Sequence, residues 1–164
     1  MTPLVIERHR AAMRRTKYSR PLETAIANGI LKPGQTFLDY GCGYGDDVSL
    51  LGQAGYEAVG YDPYYFPDTQ LDPADVVQLS FVLGVIENPG ERLEVLQKCW
   101  ELTKQSLVVA NQIQHTSGQV KFADGYLTKR NTFEWFPPQA ELAQYLRQIA
   151  EPKRLGAGMF VLSK

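Results

Sequence analysis

Nine consecutive residues, Asp39 to Asp47 (DYGCGYGDD), place a carboxylate two positions before the first of three alternating glycines and two more acids behind the last. Gly41, Gly43 and Gly45 allow the backbone to turn tightly and to approach a ligand, and a helix beginning after them offers N–H groups to an anionic end. A dinucleotide would seat its pyrophosphate there. The spacing is G-x-G-x-G rather than the G-x-G-x-x-G of that fingerprint, and a carboxylate at Asp39 would repel a pyrophosphate. The same carboxylate attracts positive charge, such as an α-ammonium group or a sulfonium. S-adenosylmethionine carries both, together with a carboxylate that suits a helix N-terminus. Asp62, at the end of the next apolar stretch, stands where an acid can accept hydrogen bonds from two ribose hydroxyls. Each feature alone has a plainer explanation: a tight turn for the glycines, capping of backbone amides for Asp39, a turn before Pro63 for Asp62. Together they describe a pocket for one nucleoside with an amino-acid arm.

The elements that must position these groups follow from periodicity and punctuation. Ser19-Arg20-Pro21 followed by Leu22, Ile26 and Ile30 is a helix start with apolar residues four apart, and Asn28-Gly29 ends it. Thr36 to Tyr40 reads as a buried strand. The glycine loop opens a helix through Val48, Leu51 and Ala54, with Asp46 and Asp47 in its first turn, where acids favour the dipole. Glu57 to Asp62 is a second strand, completing a βαβ unit. A proline-punctuated link (Pro63, Pro67, Pro73) leads to a third strand over Asp75 to Leu83, a helix over Glu91 to Thr103 and a fourth strand over Ser106 to Ala110. Gln112 to Pro138 is irregular, with a hairpin signal at Asp124-Gly125. A helix over Gln139 to Ala150 and a last strand over Gly158 to Leu162 close the chain. The alternation predicts an α/β fold: a Rossmann-like, doubly wound, mostly parallel sheet with its ligand at the carboxyl ends of the strands.

The 164 residues fit one domain spanning 1–164, and the composition (44% apolar, 21% charged) is that of an ordinary globular protein. Charge is unevenly spread. Residues 1–32, a basic N-terminal helical segment, hold Arg8, Arg10, Arg14, Arg15, Lys17, Arg20 and Lys32 against Glu7 and Glu23, leaving ten bases and sixteen acids for the rest. Such an arm either meets a polyanion such as nucleic acid or packs on its own domain's acidic face. Cys42 and Cys99 make no disulfide framework, and His9 and His115 stand too isolated for a metal site. No run is long and apolar enough for a signal peptide or a membrane span, so a cytoplasmic protein is expected.

The stretch FLDYGCGYGDDVSLLGQAGYEAVGYDP resembles the first motifs of class I (Rossmann-like) S-adenosylmethionine-dependent methyltransferases. RHRAAMRRTKYSRPLETAIANGIL, GYDPYYFPD, ADVVQLSFVLGVIENPGER and DGYLTKRNTF, in this order, further resemble methyltransferase-like proteins associated with bacterial DNA phosphorothioation systems. The resemblance implies a cofactor, with S-adenosylhomocysteine as its product, and a DNA-modification setting. It implies cofactor contacts from Asp39, Gly41, Cys42, Gly43, Asp62 and Pro63, with Tyr64 beside the adenine. Ser80 and Phe81 fall near the end of the third strand, where such folds contact the adenosine or the methyl donor, although a Phe in so apolar a strand also suits the core. The short link between Asp62 and Asp75 leaves no room for the customary extra strand and helix, which makes this a reduced version of the fold. Members of the phosphorothioation-associated group are longer, so a protein partner or a further domain enters the expectation.

Asp62-Pro63-Tyr64-Tyr65 imitates the D-P-P-Y element of DNA amino-methyltransferases, but it sits at the ribose position rather than at the end of the later strand, which reads Leu79-Ser80-Phe81-Val82. There is no Pro-Cys nucleophile for a pyrimidine ring. Methyl transfer from a sulfonium is an in-line displacement that positioning alone can serve, and a base is needed only where the acceptor must lose a proton. His9, Tyr18 and His115 could each serve or simply pack, and the catalytic group is unassigned. Phe133, Trp135 and Phe136 line an acceptor pocket or cap the core. Three functions follow: methyl transfer, a non-catalytic cofactor-binding module of a modification assembly, or a small-molecule methyltransferase whose basic arm is only a lid.

Overall fold

The computed structural model describes residues 3–115 and 119–164. Its centre is a six-stranded sheet in the order β2-β1-β3-β4-β9-β8, built from β1 (Thr36–Tyr40), β2 (Glu57–Tyr61), β3 (Ala74–Ser80), β4 (Thr103–Ala110), β8 (Lys153–Gly156) and β9 (Met159–Ser163). The first four run parallel, and β9 returns antiparallel to β4 with β8 on its edge. The helices are α1 (Arg20–Ala27), α2 (Asp46–Gln53), α3 (Pro89–Leu102) and α4 (Gln139–Leu146).

Side-chain alternation along the strands divides the core in two. Phe37, Val76, Val108 and Val161 face one side, where they bury Leu22 and Ala25 of α1 and Leu51 of α2. Their strand neighbours Leu38, Val77, Leu107, Val109, Phe160 and Leu162 face the other, against Leu96 and Cys99 of α3 and Leu142 and Leu146 of α4. A parallel sheet must be covered on both faces, because its crossovers place helices there, and these strands are accordingly apolar on both sides. Asp39, Gln78 and Ser80 follow the period of two onto the α1/α2 face, at the carboxyl end of the sheet.

A second, three-stranded sheet of β5 (Val120–Phe122), β6 (Gly125–Leu127) and β7 (Phe133–Glu134) occupies the irregular stretch between β4 and α4. The hairpin expected around Asp124-Gly125 forms there, with Ala123 and Asp124 as its two-residue turn and Gly125 opening β6. Arg92, 2% exposed at the start of α3, rivets this insert to the main body. Its guanidinium donates to both Asp124 carboxylate oxygens (2.7 and 3.2 Å) and twice to the Ile86 carbonyl, and it lies 4.2 Å over the Trp135 ring. Burying an arginine is tolerable only with such full pairing.

Some boundaries differ from expectation. β3 ends at Ser80, because Phe81 takes a left-handed conformation (φ 59°) and Leu83–Val85 coil into a 3-10 turn. The α4 helix stops at Leu146, and Lys153–Gly156, too polar to show an apolar pattern, pairs with β9 as an edge strand. Among its described residues, the basic N-terminal segment is helical only at Arg8–Ala11, a 3-10 turn, and in α1.

Candidate cofactor site

The site lies where β1, β2 and β3 end and α2 begins. Three glycines of the loop have positive φ: Gly41 84°, Gly43 55° and Gly45 80°. At Gly41 the requirement is also steric, since a Cβ would lie 2.3 Å from a methyl of Val82. Phe81 contributes to that contact: its amide still pairs with the Ala110 carbonyl (2.8 Å) before the left-handed turn redirects the chain and brings Val82 over the loop. A left-handed aromatic residue is strained by roughly 1–3 kcal/mol, and such outliers cluster at functional sites.

The loop's own amides hold it together. Gly41 and Cys42 N–H both donate to the Tyr61 carbonyl (2.7 and 2.9 Å), and Gly45 N–H to the Cys42 carbonyl. Gly43 N–H donates to Asp62 Oδ2 (3.0 Å), while Asp62 Oδ1 accepts from the amides of Tyr64 and Tyr65 (2.9 and 3.1 Å). Asp62 therefore joins the first glycine loop to the tight turn Asp62–Phe66 and fixes Pro63 between them. The Cys42 side chain points back at β2, where a Cβ on Gly60 would meet its sulfur at 2.8 Å. Burial pushes its thiol up to about 12, so it is a packing group and no thiolate at neutral pH.

Asp39 is the anomaly. It is 6% exposed and accepts only a long bond from Gln78 Nε2 (3.4 Å), its lateral neighbour in the parallel pairing of β1 and β3. No ion pair reaches it among the described residues. Burial, followed by the nearby Asp47 carboxylate, pushes its pKa up to about 7, against the bond from Gln78 and the more distant charge of Arg15. Two neighbouring groups on this face are also unsatisfied: Gln78 Oε1 and Ser80 Oγ are buried without partners. The α2 N-terminus completes the set. Ser19 caps α1 and Asn88 caps α3, whereas α2, at left-handed Gly45, begins with no side-chain cap, as α4 does at Pro138. Unfilled acceptors beside an uncapped helix start suit a ligand bearing both a cation and a carboxylate, and so the residues present fit S-adenosylmethionine.

Asp46 and Asp47 stand in the first turn of α2, where acids favour the dipole. They also anchor the N-terminal arm. Asp47 accepts from the Ser19 amide (2.8 Å) and hydroxyl (2.5 Å), and from Gln78 Nε2 (3.2 Å). Asp46 accepts from the Arg15 amide (2.6 Å) and pairs with Arg14 (3.2 Å). Further along, Arg8 lies between Glu87 and Glu91 and donates four hydrogen bonds of 2.6–2.8 Å. The arm packs on its own domain's acids, which spacing along the sequence does not reveal.

The candidate bases do not converge. His9 stacks on Tyr64 (3.8 Å, 7° between planes) and its carbonyl accepts from Tyr65 Oη. His115 stacks on Tyr126 of the insert, with Phe136 edge-on, and Tyr18 packs under α1. Phe133 is fully buried, and Trp135 lies beneath Arg92. An open groove of about 370 Å³ is lined by Trp135, Glu141, Gln144, Tyr145 and Gln148, and no residue of the glycine loop borders it.

Comparison with known proteins bears on the fold and the family. No protein of curated function matches the chain by sequence. Among solved structures, the Burkholderia thailandensis 1,6-didemethyltoxoflavin-N1-methyltransferase, with its substrate and S-adenosylhomocysteine bound, superposes with a TM-score of 0.65 over 88% of this chain and 77% of its own, at 16% identity. The CcbJ methyltransferase of Streptomyces caelestis gives 0.58 over 87% and 88% at 13% identity. The magnesium protoporphyrin IX methyltransferase of Synechocystis PCC 6803, with S-adenosylhomocysteine bound, gives 0.54 over 87% and 78% at 17% identity. At these identities the likeness is one of fold. The sequence itself matches the methyltransferase domain family over residues 8–149, and the chain belongs to that family.

Proposed function

We propose that the chain binds S-adenosylmethionine at the glycine loop and transfers its methyl group to a compact acceptor. The observation that carries this is Asp39, a buried carboxylate without a cation, set between unpaired polar groups and an uncapped helix start. In this reading Asp39 receives the ammonium of the cofactor, and Gly41, Cys42 and Gly43 form the floor beneath its amino-acid arm. Asp62, whose three backbone contacts leave one carboxylate lone pair on Oδ2, accepts a ribose hydroxyl there, with Pro63 and Tyr64 beside the adenine. Ser80 and Phe81 stand at the methyl-donor end. When bound, the cofactor supplies an electrophilic methyl carbon. The protein's part is to orient it and exclude water, and no side chain at the site is placed as a general base.

A small acceptor agrees with the ion pairs that Arg8 and Arg14 make within the domain and with the 1,6-didemethyltoxoflavin and magnesium protoporphyrin IX methyltransferases of the same fold. A second reading, methylation tied to bacterial DNA modification, rests on the resemblance to phosphorothioation-associated proteins. One observation favours it. Arg14 is 71% exposed and lies 5.0 Å over Tyr44, with exposed Tyr64 nearby, a cation and aromatic surface able to meet single-stranded nucleic acid.

Calorimetric titration with S-adenosylmethionine and S-adenosylhomocysteine tests the cofactor. Micromolar binding, lost in Asp39→Ala and Asp62→Ala, is expected, and a folded wild type that binds neither would remove the proposal. Titration with single-stranded DNA at two salt concentrations separates the acceptors, since a phosphate-binding arm would weaken steeply with salt.

A further inference from the structure

The N-terminal arm crosses each part of the candidate site in turn. His9 stacks on Tyr64 and is held by Tyr65, in the turn that Asp62 organises. Ala12 presses on Gly43, its Cβ 3.1 Å from where a side chain on that glycine would begin. The Arg15 amide is bound to Asp46 in the first turn of α2. A glycine in such a loop leaves its Cα open to a ligand, and here the protein's own alanine takes that place, while an imidazole lies flat on the ring that would flank an adenine. One end of the arm is fixed for good reason: Ser19 both caps α1 and binds buried Asp47. The other end is held by Arg8 in the grip of Glu87 and Glu91, a half-exposed ion cluster.

We propose that residues 8–15 form a self-occluding strap over the cofactor site, latched by Arg8 on Glu87 and Glu91, which must lift before S-adenosylhomocysteine or S-adenosylmethionine can reach Gly43. This rests on the cofactor reading above. When the binding-competent state is only fractionally populated, apparent affinity falls by that fraction. Weakening the latch therefore strengthens binding, whereas a lid that closed over bound cofactor would show the reverse.

The test uses S-adenosylhomocysteine as probe, with Arg8→Gln and the double variant Glu87→Gln/Glu91→Gln against wild type. Arg147→Ala, which breaks an exposed pair within and beyond α4, serves as the control. Expected is roughly tenfold faster association and tighter binding in both latch variants, with the control unchanged. Trypsin should cut at Arg14, Arg15 and Lys17 faster in the latch variants without ligand, and faster in wild type once the probe is bound. Weaker binding in the latch variants, or protection of these bonds by the probe, would overturn occlusion in favour of a closing lid. Unchanged kinetics and proteolysis would show that the ion cluster latches nothing. If folded wild type and both latch variants bind no probe, the cofactor reading itself fails and takes this role of the strap with it.

Discussion

Replacing Asp39 by Asn should make the protein more stable above neutrality while abolishing cofactor binding. The carboxyl is displaced from an ordinary 3.8 to about 7, chiefly by burial and then by Asp47. A raised carboxyl pKa means that the folded state keeps its proton after the unfolded chain has released it. Stability then falls as pH climbs from about 4 to about 7 and is level above that. At about 1.4 kcal/mol per pKa unit the charged form costs at most about 4 kcal/mol at pH 8. Asn removes the charge, keeps an oxygen for the Gln78 Nε2 bond, and brings an amide that can donate to the unpaired Gln78 Oε1.

The variant should gain about 2–4 kcal/mol at pH 8, or roughly 5–10 °C in melting temperature for a chain of this size. At pH 4 the gain should shrink to nearly nothing. Thermal unfolding of both proteins across this range measures it, and calorimetry with S-adenosylhomocysteine measures the loss of binding. An Asn variant that is less stable at pH 8, or a stability gap that does not widen between pH 4 and 7, would refute the claim that Asp39 is an uncompensated buried charge. Retained affinity would refute its role toward the cofactor.

Three further outcomes follow from the same geometry. Affinity for S-adenosylhomocysteine should rise about tenfold from pH 6 to pH 8, because a group with a pKa of about 7 is about one-tenth ionised at the first and nine-tenths at the second; isothermal titration at the two pH values checks this, and Asp39→Asn should show no such slope. Arg92→Ala should cost about 3–5 kcal/mol in urea unfolding, since it deprives the Ile86 carbonyl and Asp124 of their partner and releases the β5–β7 insert. Gly41→Ala should cost more than about 2 kcal/mol through both positive φ and the collision with Val82, and adding Val82→Ala should restore part of the loss but not all, because only the collision is relieved.

The cradle was readable from the sequence because everything in it is local or periodic. Strand, glycine turn, helix and returning strand occupy Thr36 to Tyr61 without interruption, and β1 begins and ends where its apolar residues do. Asp39 and Asp62 were legible as strand-end acids for the same reason. The end of β3 was not, because Phe81 is a good strand residue and nothing local marks the left-handed turn by which it brings Val82 over Gly41. Nor was β8, a polar edge strand that owes its conformation to β9.

The arm shows a deeper limit. Its seven basic residues left two partners open, a polyanion or the domain itself, and charge density alone has no means of choosing. What places the segment on the domain is geometry between residues far apart in the chain. Arg8 meets Glu87 and Glu91 across 79 and 83 positions, and Arg14 pairs with Asp46, which also takes the backbone amide of Arg15 across 31. None of these pairs has a helical or strand period, and Glu87 and Glu91 lie together only because the 3-10 turn at Leu83–Val85 and the Asn88 cap orient the start of α3. Asp46 and Asp47, which a local reading assigns to a helix dipole, thus become handles for a distant segment, as do Glu87 and Glu91. That segment reaches the glycine loop, where Ala12 lies against Gly43. A site can be legible in its floor and illegible in its cover, since the floor is written in consecutive residues and the cover in pairings that only the folded chain makes.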